Sequence, residues 1–400
     1  MFESAPVNPP DAIFGLIEEF KRDSNPKKIN LTVGMYQDDT GRTPVLDCVR
    51  QAKKQIHDSG NSHVYLPIGG LQNFNELIPN LIFGDAHRVI EQGLACSSQT
   101  PGGTSALRVA GETLRSRFGV KRIWISDPTW ANHKNIFPGA GLELGHYHYL
   151  DAGGTSFDLQ GCLTSIARAD SGDAILFHAV CHNPTGVDPN AEQWKQIFAA
   201  VESKALIPIF DFAYQGFGEG VALDSYPIRT YCETNSDALI CSSFSKSFNL
   251  YGERVGAITA VGPSREDALA VLSQCKAVIR SIYSNPPTFG ASIVSTVFQD
   301  EALHQLWLQE LEAIRTRICD LRKMFVEAMN QRLPEMNFDH ILQQRGMFSY
   351  SGLQGEFAQR LKKEHSIYVL KSGRINVAGI NANNLDRLCN SIAAVVAATS

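Results

Sequence analysis

The sequence predicts an α/β fold, with a mostly parallel central sheet in a large domain and a smaller α+β domain beside it. Three observations carry this. Between Arg122 and Val261 lie five short, nearly continuous apolar runs: Ile123 to Ile125, Ala174 to Phe177, Ile207 to Phe210, Ala238 to Cys241 and Val255 to Ile258. Strands read this way when both faces of their sheet are covered. Segments with helical periodicity, such as Ala191 to Ser203, separate them, which is the pattern of βαβ units. Finally, 400 residues exceed the size at which one core keeps growing, so two domains are expected.

From the amino terminus, a short helix is signalled from Asp11, after Pro9 and Pro10, with Ile13, Phe14, Leu16, Ile17 and Phe20 on one face. Ile29 to Gly34 alternates like a strand and runs into a turn at Asp38 to Gly41. Pro44 to His57 reads as a helix with Val45, Val49, Ala52 and Ile56 on one side. Gln99 to Thr104 is a glycine turn, and a helix starting at Thr104 would aim free N–H groups and its positive end at an anion. Beyond the sheet, Trp307, Leu311, Ile314, Ile318, Leu321 and Phe325 mark one long amphipathic helix ending before Pro334. Strand-like stretches follow at Gly346 to Tyr350, Ile367 to Leu370 and Arg374 to Val377, then a last helix with Leu385, Leu388, Ile392 and Val395. The expected division is residues 1–43 as an arm and part of the small domain, 44–310 as the large domain, and 311–400 as the rest of the small domain.

A formal charge of -5 with no basic block gives no reason to expect nucleic acid. Nine scattered cysteines, without a C-x-x-C pair or zinc-like spacing, read as reduced thiols and predict no metal. No basic, apolar leader and no stretch long enough to span a bilayer stand out, so a cytoplasmic protein with no membrane partner is expected.

Ligands of parallel α/β sheets bind at the carboxyl ends of the strands. Several chemistry-bearing stretches stand there: Asp127 to Trp130, Cys181 to Gly186, Asp211 to Tyr214, and Ser243 to Lys246. A lysine at the exit of a buried strand is placed where desolvation lowers its pKa toward the range in which the amine attacks a carbonyl. Ser243, Ser245 and Arg254 around it are phosphate-binding types, so Lys246 is a candidate to hold a phosphate-bearing aldehyde. Asp211, after an apolar strand, needs a cationic partner, either a protonated pyridine nitrogen or an arginine. Asn183 and Tyr214 could bind a phenolic oxygen, or Asn183 could simply make a turn; Trp130 offers a stacking face or core filling.

The joint occurrence, in order, of Pro101 to Thr104, Asp127 to His133, Cys181 to Gly186, Asp211 to Phe217, Ser243 to Lys246 with Arg254, Tyr283 to Pro287, and Gly373 to Gly379 resembles the fold type I pyridoxal-phosphate aminotransferases. Within them it resembles the aspartate and aromatic subgroup of class I, over essentially the whole chain. The resemblance implies pyridoxal 5'-phosphate held covalently by Lys246, with Asp211 and Tyr214 as further catalytic residues. It implies Gly103, Thr104, Ser243, Ser245 and Arg254 at the phosphate, Trp130 stacked on the ring, His133 behind Asp211, and Asn183 with Tyr214 at the ring hydroxyl. Gly34, Trp130, Asn183, Arg280 and Arg374 are implied as substrate-binding residues, Arg374 at the α-carboxylate and Arg280 at a distal carboxylate. Tyr65 and Arg280 would act from the neighbouring subunit of a homodimer. Thr43, Thr104 and Asn285 match the aspartate type, Val64 departs from it, Met35 and Gln37 match neither pattern, and Leu250 to Arg254 leans aromatic. The reading favours amino transfer from aspartate to 2-oxoglutarate in two half-reactions, with phenylalanine and tyrosine as further donors. The alternatives are a mainly aromatic aminotransferase, a lyase or decarboxylase of the same fold, and a binding protein without turnover.

Overall fold

The structure is a computed structural model and describes residues 2–5, 12–60 and 64–398. Its strands are β1 (Ile29–Asn30), β2 (Ala95–Thr100), β3 (Arg122–Asp127), β4 (Glu143–His148), β5 (Ala174–His178), β6 (Ile207–Phe212), β7 (Ala238–Ser243), β8 (Gly256–Val261), β9 (Phe348–Tyr350), β10 (Ile367–Tyr368) and β11 (Arg374–Asn376). Seven of them form one sheet in the order β2-β8-β7-β6-β5-β3-β4. The ladders from β4 through β7 are parallel, whereas β8 runs antiparallel to both β7 and β2. The expected mostly parallel sheet is present. The strand read at Val255 to Ile258 is its antiparallel member, and β2 and β4 add two strands that the apolar runs did not mark.

Side chains alternate faces along a strand, so parity decides what reaches the site. Leu176, Ile209, Leu239 and Cys241 pack on the face shared with Ala106, Leu107 and Ala110 of the helix Gly102–Arg117. Two residues on, the same face carries His178, Asp211 and Ser243 at the carboxyl ends of β5, β6 and β7. His178 lies opposite Asp211 in the ladder. The chain turns outward from β3 to β4 and then resumes on the other side at β5, so the order reverses between β3 and β5. Pairing there ends at Trp124↔Ile175, well short of the carboxyl ends, and leaves room where Trp130, His133 and His178 emerge.

Two small sheets join distant parts of the chain: β1 pairs with β10, and β9 with β11. Asn376 extends this junction, its Nδ2 donating to Val33 O and Met35 O and its N–H to Leu31 O. The long helix is Glu301–Arg332 and buries Trp307, Leu311, Ile314, Ile318, Leu321 and Phe325 as expected. It also reaches forward: the buried Arg322 donates to Gly346 O and Ser349 Oγ, fixing the entry to β9. The helix expected from Pro44 begins at Asp47 because Glu310 accepts from the Asp47 and Cys48 N–H groups, and Val45 stands exposed before it. The helix expected from Thr104 starts at Gly102, two residues earlier. The first helix is Ala12–Arg22; Asp11, Pro9 and Pro10 lie outside the described residues. Among the described residues, no helix is long and apolar enough to cross a membrane.

Trp307 ties this helix to the lysine loop. Its Nε1 donates to Ser247 O at 2.8 Å, and its ring stacks on Phe248 at 5.0 Å. Replacing Trp307 by Phe keeps an aromatic ring but leaves the Ser247 carbonyl without that donor. A loss of about 1–3 kcal/mol is expected, seen as a lower thermal midpoint. An unchanged midpoint would show that the bond contributes nothing.

Candidate active site

The strand ends and their loops bring most of the expected residues into one cleft. Asp211 is 6% exposed, with Oδ2 at 3.3 Å from His133 Nε2 and 4.0 Å from His178 Nε2. Of the two alternatives for its cationic partner, the arginine is not found among the described residues; the carboxylate faces two histidines, His133 as expected and His178. The His133 contact is off-axis for a hydrogen bond, while its Nδ1 shares a 2.8 Å hydrogen bond with Thr129 Oγ1. Burial pushes the Asp211 pKa up, but its neighbours, His133 first and then His178 and Lys246, outweigh it and leave the carboxyl below its usual range. His178 has neither ring nitrogen hydrogen-bonded, and burial beside His133 lowers it to about 3. His182 sits behind it, hydrogen-bonded to Ser126 and Thr185 and stacked on Tyr149. Burial puts His182 well below its ordinary value.

His178 was missed in the sequence reading. Its signal was modest: a histidine closing a buried apolar run, one strand away from an aspartate closing another. The donor atoms of His133, His178 and Asp211 all lie within 4.8 Å of one another.

Lys246 follows β7 in a turn and lies partly open to the cleft, with Nζ 4.8 Å from the centroid of the Tyr214 ring. Burial lowers its pKa to about 8; the Asp211 charge opposes that shift and Arg254 reinforces it. Tyr214 is 5% exposed, and burial raises its hydroxyl well above the ordinary value. Trp130 stands edge-on to His133 at 5.2 Å.

On the other side of the lysine, Gly102 and Gly103 open the helix Gly102–Arg117 against Arg254 and Ser243. A Cβ on Gly102, whose φ is +79°, would fall 2.5 Å from an Arg254 nitrogen, and one on Gly103 would fall 3.1 Å from Ser243 Cβ. The positive φ at Gly102 and these close approaches favour glycine here. Arg254 Nη1 and Ser243 Oγ both reach Ser245 Oγ at 3.3 Å. Thr104 lies in the same first turn. Free helix N–H groups, hydroxyls and a guanidinium in one place suit a phosphate.

Arg374 is 2% exposed on β11 and donates to Asn183 Oδ1 at 3.2 Å and Thr32 O at 2.5 Å. Its Nε is buried without a partner, and burial lowers its pKa to about 10. Gly34 lies in the segment next to Thr32, against Phe348.

Tyr65 and Arg280 stand apart from this constellation. Tyr65 is 92% exposed, and Arg280, exposed in the last turn of the helix Arg265–Ile282, donates to Ser284 Oγ. Asn285 Nδ2 to Leu66 O joins the two segments, and Gln99 Nε2 on β2 donates to Pro287 O beside them. Thr43, in turn, donates to Tyr36 O.

The fold and cleft define an α/β protein with a lysine amine of lowered pKa, a buried carboxylate held below its usual range, a glycine-opened helix start beside an arginine, and a buried arginine. The chain belongs to the family described as Aminotransferase class I and II, whose model matches residues 26–392. It is 43% identical to the aspartate aminotransferase of Escherichia coli (strain K12) over 396 residues, 99% of this chain and 100% of that protein. It is 40% identical over 397 residues to the aromatic-amino-acid aminotransferase of the same organism, with 99% and 100% covered. A crystal structure of the aromatic-amino-acid aminotransferase from Burkholderia pseudomallei, covalently bound to pyridoxal phosphate, superposes with a TM-score of 0.96 at 42% identity and 99% coverage of both chains.

The Lys246 environment makes a direct prediction. An amine titrating at about 8 loses its proton, and so becomes nucleophilic, at lower pH than an ordinary lysine at 10.5. Competitive labelling of cofactor-free protein with acetic anhydride should show half-maximal Lys246 reactivity near pH 8. Because the Asp211 charge favours the ammonium, Asp211→Asn should move that midpoint lower still. Reactivity still climbing at pH 10 would contradict this.

Proposed function

We propose that this aminotransferase uses pyridoxal 5'-phosphate bound through Lys246, moves the amino group of aspartate to 2-oxoglutarate, and accepts phenylalanine and tyrosine as further donors. The observation that carries the reading is the pairing of a lysine amine near pKa 8 with an ionised, buried Asp211 that has no lysine or arginine within ion-pair distance among the described residues. The donor set fits the cofactor group by group. The glycine cradle with Ser243, Ser245, Arg254 and Thr104 suits its phosphate, Asp211 suits a ring N–H, and Asn183 and Tyr214 suit its hydroxyl.

When bound, pyridoxal phosphate supplies an electron sink that stabilises a carbanion at the amino acid's Cα. The chain's residues direct that chemistry. Asp211 keeps a proton on the ring nitrogen, with His133 and His178 supporting its charge. Trp130 covers one ring face. Arg374, with Gly34 leaving space beside it, grips the α-carboxylate and so fixes which bond at Cα faces the reacting ring. Lys246, once its amine is free, would take the proton from Cα as general base and, as general acid, deliver it to the cofactor's carbonyl-derived carbon rather than back to Cα. The groups of His133, His178 and Asp211 serve that charge network in this reading, and no metal takes part.

Exposed Val64, Tyr65, Ile68, Ile282 and Phe289 around Arg280 support a second copy of the chain at this face. In that homodimer Tyr65 reaches the partner's phosphate and Arg280 the distal carboxylate of its substrate. The pairing of β1 with β10 supports residues 1–43 and 311–400 acting as one smaller domain against 44–310, with the helix Glu301–Arg332 crossing the boundary. Nine unpaired thiols support a reducing compartment, and we place the protein in the cytoplasm.

Initial rates with aspartate and 2-oxoglutarate should give parallel double-reciprocal plots; intersecting lines would refute two half-reactions. Lys246→Ala should lose about 10²–10⁴ in kcat, and undiminished turnover would remove it from the chemistry. Arg280→Ala should lower kcat/KM for aspartate about 100-fold or more while sparing phenylalanine. If aspartate turnover survives intact, the distal-carboxylate role is wrong and the mainly aromatic alternative gains.

A further inference from the structure

The guanidinium of Arg374 is buried, yet its hydrogen bonds go to two neutral acceptors, Asn183 Oδ1 and Thr32 O. A charge withdrawn from water needs compensation. The neighbouring strand supplies a candidate. In the antiparallel pair β9 and β11, Arg374 lies opposite Tyr350 and Asn376 opposite Phe348. Arg374 and Phe348 are therefore diagonal neighbours on one face. The guanidinium carbon stands 4.1 Å from the centroid of the Phe348 ring, which is itself 3% exposed.

That ring has little freedom to turn away. A Cβ on Gly34 would lie 2.6 Å from Phe348 Cζ, and Tyr214 meets it edge-on at 6.1 Å. The backbone behind it is anchored as well, by Arg322 to Gly346 O and Ser349 Oγ. An aromatic face carries negative potential and attracts a cation held within about 6 Å, more strongly where water is excluded.

We propose that Phe348 is a positioning residue for carboxylate recognition: its ring face supports the buried charge of Arg374 and holds the guanidinium in place, leaving the N–H groups not taken by Asn183 and Thr32 for a carboxylate. Gly34 is part of the same device, since any side chain there would displace the ring. This rests on Arg374 being the α-carboxylate ligand.

Stepwise fluorination of Phe348 (4-fluoro-, 3,5-difluoro-, 3,4,5-trifluorophenylalanine) drains the ring face while nearly preserving its shape, so a purely structural role would not respond. In the holoenzyme, the Kd of succinate, a non-reacting dicarboxylate, should rise at each step, to about tenfold in the trifluoro form. KM for aspartate should follow, with kcat within about twofold. Phe348→Leu should weaken succinate at least as much, Phe348→Tyr should restore it, and the single-turnover rate with a primary amine lacking a carboxylate should be unchanged. A flat succinate series, or equal loss with the carboxylate-free amine, overturns the proposal. Wild-type protein that binds succinate without transaminating would refute the functional reading and leave this one standing on its Kd series.

Discussion

A buried carboxylate that stays ionised without a strong cation beside it is the constraint around which this structure is arranged. Asp211 would gain a proton on burial alone, yet its surroundings hold it below the normal carboxyl range. The groups facing it are weak partners: His178 is driven to about 3 by burial, and His133 meets it off-axis. Such a carboxylate attracts a further cation from the one open direction, the cleft. Lys246 lies there, but its amine is pushed toward neutrality and rests over Tyr214. Two groups that would cancel if paired are instead held apart, as a protonated ring inserted between them would require.

The sheet makes this arrangement with little local effort. Parity on three parallel strands sends His178, Asp211 and Ser243 to the face covered by the helix Gly102–Arg117, and the reversal of strand order opens the crevice between β3 and β5. Arg374 comes from a remote part of the sequence, carried on a small sheet that is fastened to residues 31–35 through Asn376. Asn183 then links the two halves, accepting from Arg374 while its own loop emerges beyond β5. Movement of the β9 and β11 segment would thus be felt at both Arg374 and Asn183.

Much of this was legible because apolar runs and strand-end polar residues report parallel strands directly. What escaped has physical reasons. The strand β2, Ala95–Thr100, is polar though its last four residues are buried; its hydroxyls are accommodated inside, as Ser97 to Thr259 at 2.7 Å shows, so no apolar run marks it. The strand β4, Glu143–His148, lies at the sheet edge with alternating exposure, and its histidines and glutamate hide it. The direction of β8 depends on the loop 244–255 turning back, which no local pattern dictates. The neighbour of Asp211 on β5 was not legible either: it depends on the register of β5 against β6, which places His178 opposite it. Tyr65 and Arg280 have no local pattern to mark them, since both stand exposed and apart from the cleft.

The most direct measurement of the central claim is to reduce the holoenzyme with borohydride, digest it and locate the cofactor by mass spectrometry. The account predicts a pyridoxyl group on Lys246, and prior exposure to excess aspartate should abolish the labelling by releasing the lysine amine. A pyridoxyl group on another lysine, or labelling of Lys246 undiminished by aspartate, would contradict it.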